Sequence, residues 1–369
     1  MATLRSLVLS HFRSHETFAL EMDGRPVAFF GPNGAGKTNI LEAISLLSPG
    51  RGLRRAPADD LARRPDAVGW RIRALIETRA GAHEIVTGAA PGQRRTLEID
   101  GKTAPQSALG ALLPMLWLTP AMDRLWIEGR AERRRFLDRA TLSFEPEHGE
   151  RAIAYERAMR ERSRLLAEGA RDPSWLRALE ARMAKAGVGI ARARAETLAR
   201  LIAAQEGAET TFPRAGLRIE GALEERFAAA AEPRAQEAEA EAAFAEALAA
   251  GRHADAAAGR ALKGPHRSDL IATHEAKGVE ARLASTGEQK ALLISIVLAN
   301  ARALAAESGA PPALLLDEIA AHLDANRRAA LYDEIIALGA PTFLTGAERE
   351  LFVAAGARMA LVPVQGGGA

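Results

Sequence analysis

Residues 26–38 read Pro26-Val-Ala-Phe-Phe30-Gly31-Pro-Asn-Gly34-Ala-Gly36-Lys37-Thr38. A short apolar run that ends at Gly31 marks a buried strand feeding a loop. The loop matches the pattern G-x-x-x-x-G-K-[ST] in full. After it, Ile40, Leu41, Ile44 and Leu47 recur at helical spacing, which predicts a helix over Asn39 to Leu47. Glycines let backbone N–H groups curl toward phosphate oxygens with no Cβ in the way. The helix that begins near Gly36 turns its positive end toward the same point. Gly31, Pro32, Asn33, Gly34, Ala35, Gly36, Lys37, Thr38 and Asn39 are therefore expected to hold a nucleotide. Lys37 should reach the β- and γ-phosphates, and the Thr38 hydroxyl should ligate Mg²⁺.

Two further stretches extend the chemistry. Leu314-Leu-Leu-Asp317-Glu318 is an apolar strand ending in two carboxylates. Asp317 is placed to hold Mg²⁺, and Glu318 to polarise an attacking water as general base. Lys37, Asp317 and Glu318 are thus the candidate catalytic residues, and Thr38 and Asp317 the candidate metal ligands. Upstream lies Leu283-Ala-Ser285-Thr-Gly287-Glu288-Gln289-Lys290, just before a strong helical pattern. A Ser-x-Gly turn at a helix N-terminus is a second anion-binding site. Read alone, it is equally an ordinary capping box, with Ser285 as N-cap and Glu288 three residues on.

Around these motifs the chain changes character twice. Strands are expected at Leu4–Leu9, Thr17–Met22, Trp70–Glu77 and Leu97–Ile99, with a hairpin turn at Asp100-Gly101. From Glu132 to about Gln205, Ala, Arg, Leu and Glu recur at helical spacing. Ala228–Gly259 is rich in Ala and Glu and reads as either a surface helix or a poorly ordered stretch. A short strand is expected within Thr211–Glu220. Strand character returns at Asp269–His274, Ala313–Leu316 and Thr342–Thr345, with a helix at Leu293–Glu307 and a tail at 365–369. The expected fold class is α/β, with three segments: 1–131 and 263–369 forming one layered domain, and 132–262 a mostly helical lobe inserted in it. The lobe lacks the sustained heptads of a long coiled coil.

Composition sets the outer bounds. The 369 residues are 48% hydrophobic and contain no cysteine, which excludes disulfides and thiolate chemistry. The eight histidines show no metal-ligand spacing. No signal pattern opens the chain, and no apolar run approaches the ~20 residues of a membrane span, so a cytoplasmic location with no membrane is expected. Net charge is only +2, but it is unevenly spread. Residues 51–73 carry seven Arg against three acids, and residues 124–164 eleven against eight. Residues 220–250 carry eight Glu against two Arg. These are either solvated helix faces or a basic surface for phosphate backbones beside an acidic segment kept away from it.

The three motifs in this order resemble an ABC-type ATPase head of the SMC group. The resemblance implies ATP with Mg²⁺, an ATP-dependent homodimer, and a site completed by Ser285, Gly287 and Glu288 of the second copy. Ala320-Ala-His322-Leu323-Asp324 is similar to the group's interface loop. Within the group, the chain resembles the RecF family of bacterial recombination-repair ATPases over nearly its whole length. The supporting pieces are Leu9-Ser-His-Phe12-Arg13, Gly50-Arg51-Gly-Leu-Arg54, Leu118-Thr-Pro120, Arg133-Arg-Arg-Phe-Leu-Asp138 and Gly264-Pro-His-Arg267-Ser-Asp269. This implies an ATP-driven clamp on double-stranded DNA or single-strand/duplex junctions that helps load recombinase with RecR, and with RecO in the wider pathway. Arg13 joins the expected nucleotide contacts. Arg51, Arg54, Arg55, Arg133, Arg134 and Arg135 are the expected DNA contacts. Aromatics at 5% of residues argue against binding single strands by stacking. There are departures: no Gln stands near Leu116-Trp-Leu118, and Gly346 stands where transporters carry a His. They point to a weak, switch-like ATPase. The rival readings are another SMC-like repair head, a transporter's ATPase subunit and a P-loop kinase that leaves Ser285-Thr-Gly287 without a task.

Overall fold

The computed structural model describes residues 2–64, 68–169, 173–230 and 232–365; residues 366–369 of the expected tail lie outside them. Its strands are β1 (Thr3–Phe12), β2 (His15–Glu21), β3 (Val27–Phe30), β4 (Trp70–Thr78), β5 (Gly81–Ala89), β6 (Thr96–Ile99), β7 (Lys102–Thr103), β8 (Met115–Leu118), β9 (Ala215–Glu220), β10 (Asp269–His274), β11 (Val279–Glu280), β12 (Ala313–Leu316), β13 (Thr342–Gly346) and β14 (Ala360–Pro363). The helices are α1 (Lys37–Ser45), α2 (Leu109–Leu112), α3 (Arg130–Phe144), α4 (His148–Ala167), α5 (Pro173–Glu206), α6 (Ala222–Ala228), α7 (Glu237–Ala250), α8 (Arg252–Ala258), α9 (Thr286–Ser308) and α10 (Ala325–Leu338).

The chain forms two compact units. The first comprises Met1–Asp123, Ala208–Phe212 and Leu293–Ala369. It holds an antiparallel sheet in the order β2-β1-β4-β5-β6-β7 and a parallel sheet in the order β14-β3-β13-β12-β8. In β4, Trp70, Ile72, Ala74 and Ile76 are buried while Arg71, Arg73 and Glu77 face outward, the alternation of a half-buried strand. In β12 all four residues are buried, as in a strand covered on both faces. Ile40, Leu41, Ile44 and Leu47 of the first helix region are wholly buried and join β1, β3 and β4 in one core. Parallel order places the ends of β3, β12 and β13 along one sheet edge, where α/β folds bind ligands.

The second unit comprises Arg124–Gly207 and Pro213–Leu292. Its core is α4, α5 and α7, with Tyr155, Leu179, Met183, Val188, Phe244 and Leu248 buried together. The Ala/Glu-rich stretch is largely helical: α7 buries Ala240, Phe244 and Leu248 at fourfold spacing, with Glu239 and Glu246 exposed. The unit runs past residue 262 because β10 pairs with β9 from Asp269↔Glu220 to His274↔Ala215. Its charged groups are also paired inside. Arg162, wholly buried, donates to Glu180, Asp255 and the Leu248 carbonyl at 3.0, 2.6 and 2.7 Å. Arg194 binds Asp138, Glu224 and the Pro265 carbonyl at 2.8, 2.9 and 2.7 Å.

The expectation that no apolar run reaches membrane-spanning length is corrected by α9. Its 23 residues have the length and hydropathy of a span, but two thirds of the apolar stretch is buried within the protein. Ala291, Leu292, Leu293, Ile294 and Ile296 are each at most 1% exposed. Burial of this kind is that of a core helix.

Candidate functional site

The 31–38 loop turns sharply because its glycines allow it. Gly31 has φ +151, and a Cβ there would lie 2.2 Å from the Val364 carbonyl oxygen. Gly36 has φ +96, and a Cβ there would meet Ser14 Oγ at 2.5 Å and His15 Nε2 at 2.6 Å. Lys37 is buried and bends back over the loop, donating from Nζ to the Gly31 and Pro32 carbonyls at 2.7 and 2.9 Å. An ammonium held by carbonyls at the mouth of a glycine loop is placed to move onto phosphate oxygens.

The loop and the carboxylates at the end of β12 meet. Thr38 Oγ1 donates to Asp317 Oδ1 at 2.9 Å, although the two residues are far apart in sequence. Asp317 is 5% exposed, and burial raises its carboxyl above the ordinary range, against the opposing hydrogen bonds from Thr345 and Thr38. Glu318 stands beside it, only partly buried, with φ +53, a left-handed conformation unusual for a residue with a Cβ. Thr38 and Asp317 offer two hard oxygen donors to one point, and Mg²⁺ takes one or two such protein ligands and fills its remaining positions with phosphates and water. The donor set suits that ion. Among the described residues no group of three His, Asp or Glu offers an all-protein metal site.

Three consecutive residues, Arg13 and Ser14 of the β1–β2 turn and His15 opening β2, grip the first helix and its cap at every third position. Arg13 donates from Nε and Nη2 to the two oxygens of Glu42, both at 2.8 Å, and to the Asp60 carbonyl at 2.7 Å. Ser14 Oγ accepts from Asn39 Nδ2 at 2.8 Å, and His15 Nε2 donates to the Gly36 carbonyl at 3.1 Å. Burial, only partly opposed by that bond, lowers the His15 imidazole pKa. Arg13 and Asn39, expected at the nucleotide, are thus engaged in holding the helix. Arg54 completes the set, donating to Asn39 Oδ1 at 2.9 Å and Glu42 at 3.4 Å. The tight Arg13–Glu42 pair spans 29 positions and has no local sequence signal.

Ser285 and Gly287 stand exposed ahead of and within the first turn of α9. The capping box is real: Glu288 Oε2 accepts from Ser285 N–H and Oγ at 2.9 and 2.8 Å, and Glu288 also pairs with Lys277. Hydrogen bonds from Lys277 and then Ser285 lower the Glu288 carboxyl to about 2. Capping and exposure coexist, leaving the Gly287 surface clear, with nothing within 4 Å of a Cβ built there.

The arginines divide. Arg51 and Arg55 are exposed and make no hydrogen bond or ion pair among the described residues. Arg95 steadies that loop from beneath, bonding the Gly50 and Leu46 carbonyls, and burial lowers its guanidinium to about 10. Arg133 departs from the DNA expectation. Only 13% of its side chain is exposed, and it chelates Asp269 at 2.7 and 2.8 Å, so its guanidinium is committed within the unit. Arg134 bonds the Ser268 carbonyl at 2.7 Å and Arg135 pairs with Glu132.

A parallel-sheet P-loop site joined to an Asp-Glu strand, with a Ser-x-Gly turn opening a long helix, defines an ABC/SMC-type ATPase head. The family model described as RecF/RecN/SMC N terminal domain matches residues 3–361. The DNA replication and repair protein RecF of Rhizobium meliloti (strain 1021) is 48% identical, over 99% of this chain and 97% of that protein. RecF of Rhizobium rhizogenes (strain K84 / ATCC BAA-868) is 49% identical, over 98% and 96%. A solved structure of the recombination mediator protein RecF-ATPrS in the RecFOR pathway superposes with a TM-score of 0.82 at 22% identity, covering 95% of this chain and 94% of that one. The chain belongs to the RecF family.

Proposed function

We propose that the protein is an ATP-dependent DNA-binding protein of recombinational repair and replication restart, in which ATP joins two copies into a clamp on duplex or gapped DNA. The observation that carries this is the 2.9 Å contact between Thr38 and Asp317, which unites loop and carboxylates at one sheet edge. Lys37 leaves the Gly31 and Pro32 carbonyls for the β- and γ-phosphates, and the loop N–H groups bind the same oxygens. Thr38 and Asp317 would hold Mg²⁺, which would supply charge neutralisation to the phosphates. Glu318 takes a proton from the attacking water as its oxygen bonds to the γ-phosphorus and the bond to the β-phosphate oxygen breaks, giving ADP and phosphate. Ser285 and Gly287 of a second copy close over the γ-phosphate, so the closed dimer forms with ATP and opens after hydrolysis.

Exposed Arg51 and Arg55 contact backbone phosphates without reading sequence. The ATPase head is built from the N- and C-terminal parts of the chain with the helical lobe inserted between them, and the protein is cytoplasmic. RecR is the proposed partner, with RecO in the wider pathway; the similar solved RecF is described in the RecFOR pathway. Steady-state turnover tests the switch. It should fall below ~10 s⁻¹, the enzyme median, and Glu318→Gln should abolish it while ATP still binds. Faster turnover, or full activity in Glu318→Gln, refutes the assignment.

A further inference from the structure

Thr345 is wholly buried near the end of β13, the strand between β3, which feeds the phosphate loop, and β12, which ends at Asp317. Its hydroxyl donates to Asp317 Oδ1 at 2.7 Å. The Thr345 hydroxyl oxygen in turn accepts the Glu318 backbone N–H at 2.9 Å. A hydroxyl carries one proton and two lone pairs, so one group makes both bonds at once. Glu318 needs such a hold, because its left-handed φ of +53 persists only where its surroundings enforce it. Thr38, the other donor to Asp317 Oδ1, belongs to the loop on the nucleotide side. Thr345 is therefore the side chain that ties the Asp317 carboxylate to the backbone of the residue beside it.

We infer that Thr345 is a positioning residue for ATP hydrolysis, fixing Asp317 through its proton and the backbone of Glu318 through its lone pair. The inference rests on the ATPase reading above. The role is not that of a core filler: Thr345→Val keeps the branched shape but strips both bonds and leaves a buried N–H unpaired. Thr345→Ser keeps the hydroxyl and loses only a methyl group. Since Lys37 and the loop glycines do not touch Thr345, affinity for ATP should survive while the chemical step suffers.

The test compares wild type, Thr345→Val and Thr345→Ser by three readouts: steady-state hydrolysis, affinity for a fluorescent ATP analogue with and without Mg²⁺, and thermal midpoint. Thr345→Val should lower kcat about ten- to hundredfold, the value of a hydrogen bond to a charged group that counts in the reacting state. Its metal-free affinity for the analogue should stay within about threefold of wild type, a change of at most ~0.7 kcal/mol. Thr345→Ser should recover most of the wild-type rate. Unchanged hydrolysis in Thr345→Val would overturn the inference. So would Thr345→Ser failing as fully as Thr345→Val, or analogue affinity falling in step with kcat. Absence of hydrolysis in the wild type would instead overturn the parent reading.

Discussion

Arg13→Met separates two tasks for one arginine. In the fold, Arg13 neutralises Glu42, a carboxylate with no exposed surface on the helix that carries the phosphate loop. Removing the guanidinium deletes two charged bonds of 2.8 Å and one to the Asp60 carbonyl of 2.7 Å. Breaking a buried pair costs about 3–5 kcal/mol, since one charge stays behind uncompensated. Arg54 remains within 3.4 Å of Glu42, which points to the lower end, about 3 kcal/mol. On a unit of this size that is a fall of ~6–12 °C in the unfolding midpoint. The assay is thermal unfolding of nucleotide-free protein in a double-mutant cycle with Glu42→Gln. Removing the stranded charge should restore much of the loss, with a coupling of ~2 kcal/mol. Effects that add within ~0.5 kcal/mol would refute the argument. So would an unchanged nucleotide-free midpoint joined to weaker ATP binding, the signature of an arginine that serves the phosphate instead.

Asp138 makes the second unit sensitive to acid. Burial, which alone would raise its carboxyl, is outweighed by hydrogen bonds and charge from His148 and Arg194, which bring it to about 2 from 3.8. A depressed carboxyl stabilises the fold above 3.8, and this is lost as pH falls toward 2, so the stability advantage of wild type over Asp138→Asn should shrink by about 1 kcal/mol between pH 5 and pH 3 in urea titrations; a constant difference contradicts the pairing. Arg51→Ala should weaken duplex binding alike for all sequences and reduce the salt slope by ~0.9. Arg133→Ala should instead lower the unfolding midpoint, because Asp269 loses its chelating partner. The reverse pattern would return Arg133 to the DNA surface.

Much of the site could be read from the sequence because its chemistry is local. A glycine loop, a lysine and a helix must be contiguous to cradle phosphate, and a buried parallel strand is a continuous apolar run, so Ala313–Leu316 was legible to the residue. The strands Met115–Leu118 and Ala360–Pro363 carry little sequence signal, because four-residue runs beside proline show little periodicity. Nor did any pattern mark Thr345 or the Arg13–Glu42 pair, which exist only once distant strands are laid side by side. The Ala/Glu stretch is ambiguous in sequence because its helix is fixed by the core that Ala240, Phe244 and Leu248 join. The Arg133 triplet looked like a basic patch because its partner, Asp269, lies 136 positions away.

The central claim is that ATP gates the grip on DNA through a site completed by a second copy. Fluorescence anisotropy of a short duplex, with ATP, ADP or no nucleotide, tests it most directly when the ATP case is repeated with Ser285→Arg. The account predicts tight binding with ATP alone, lost in Ser285→Arg while that variant still binds ATP. Equal affinity in all three nucleotide states would contradict it.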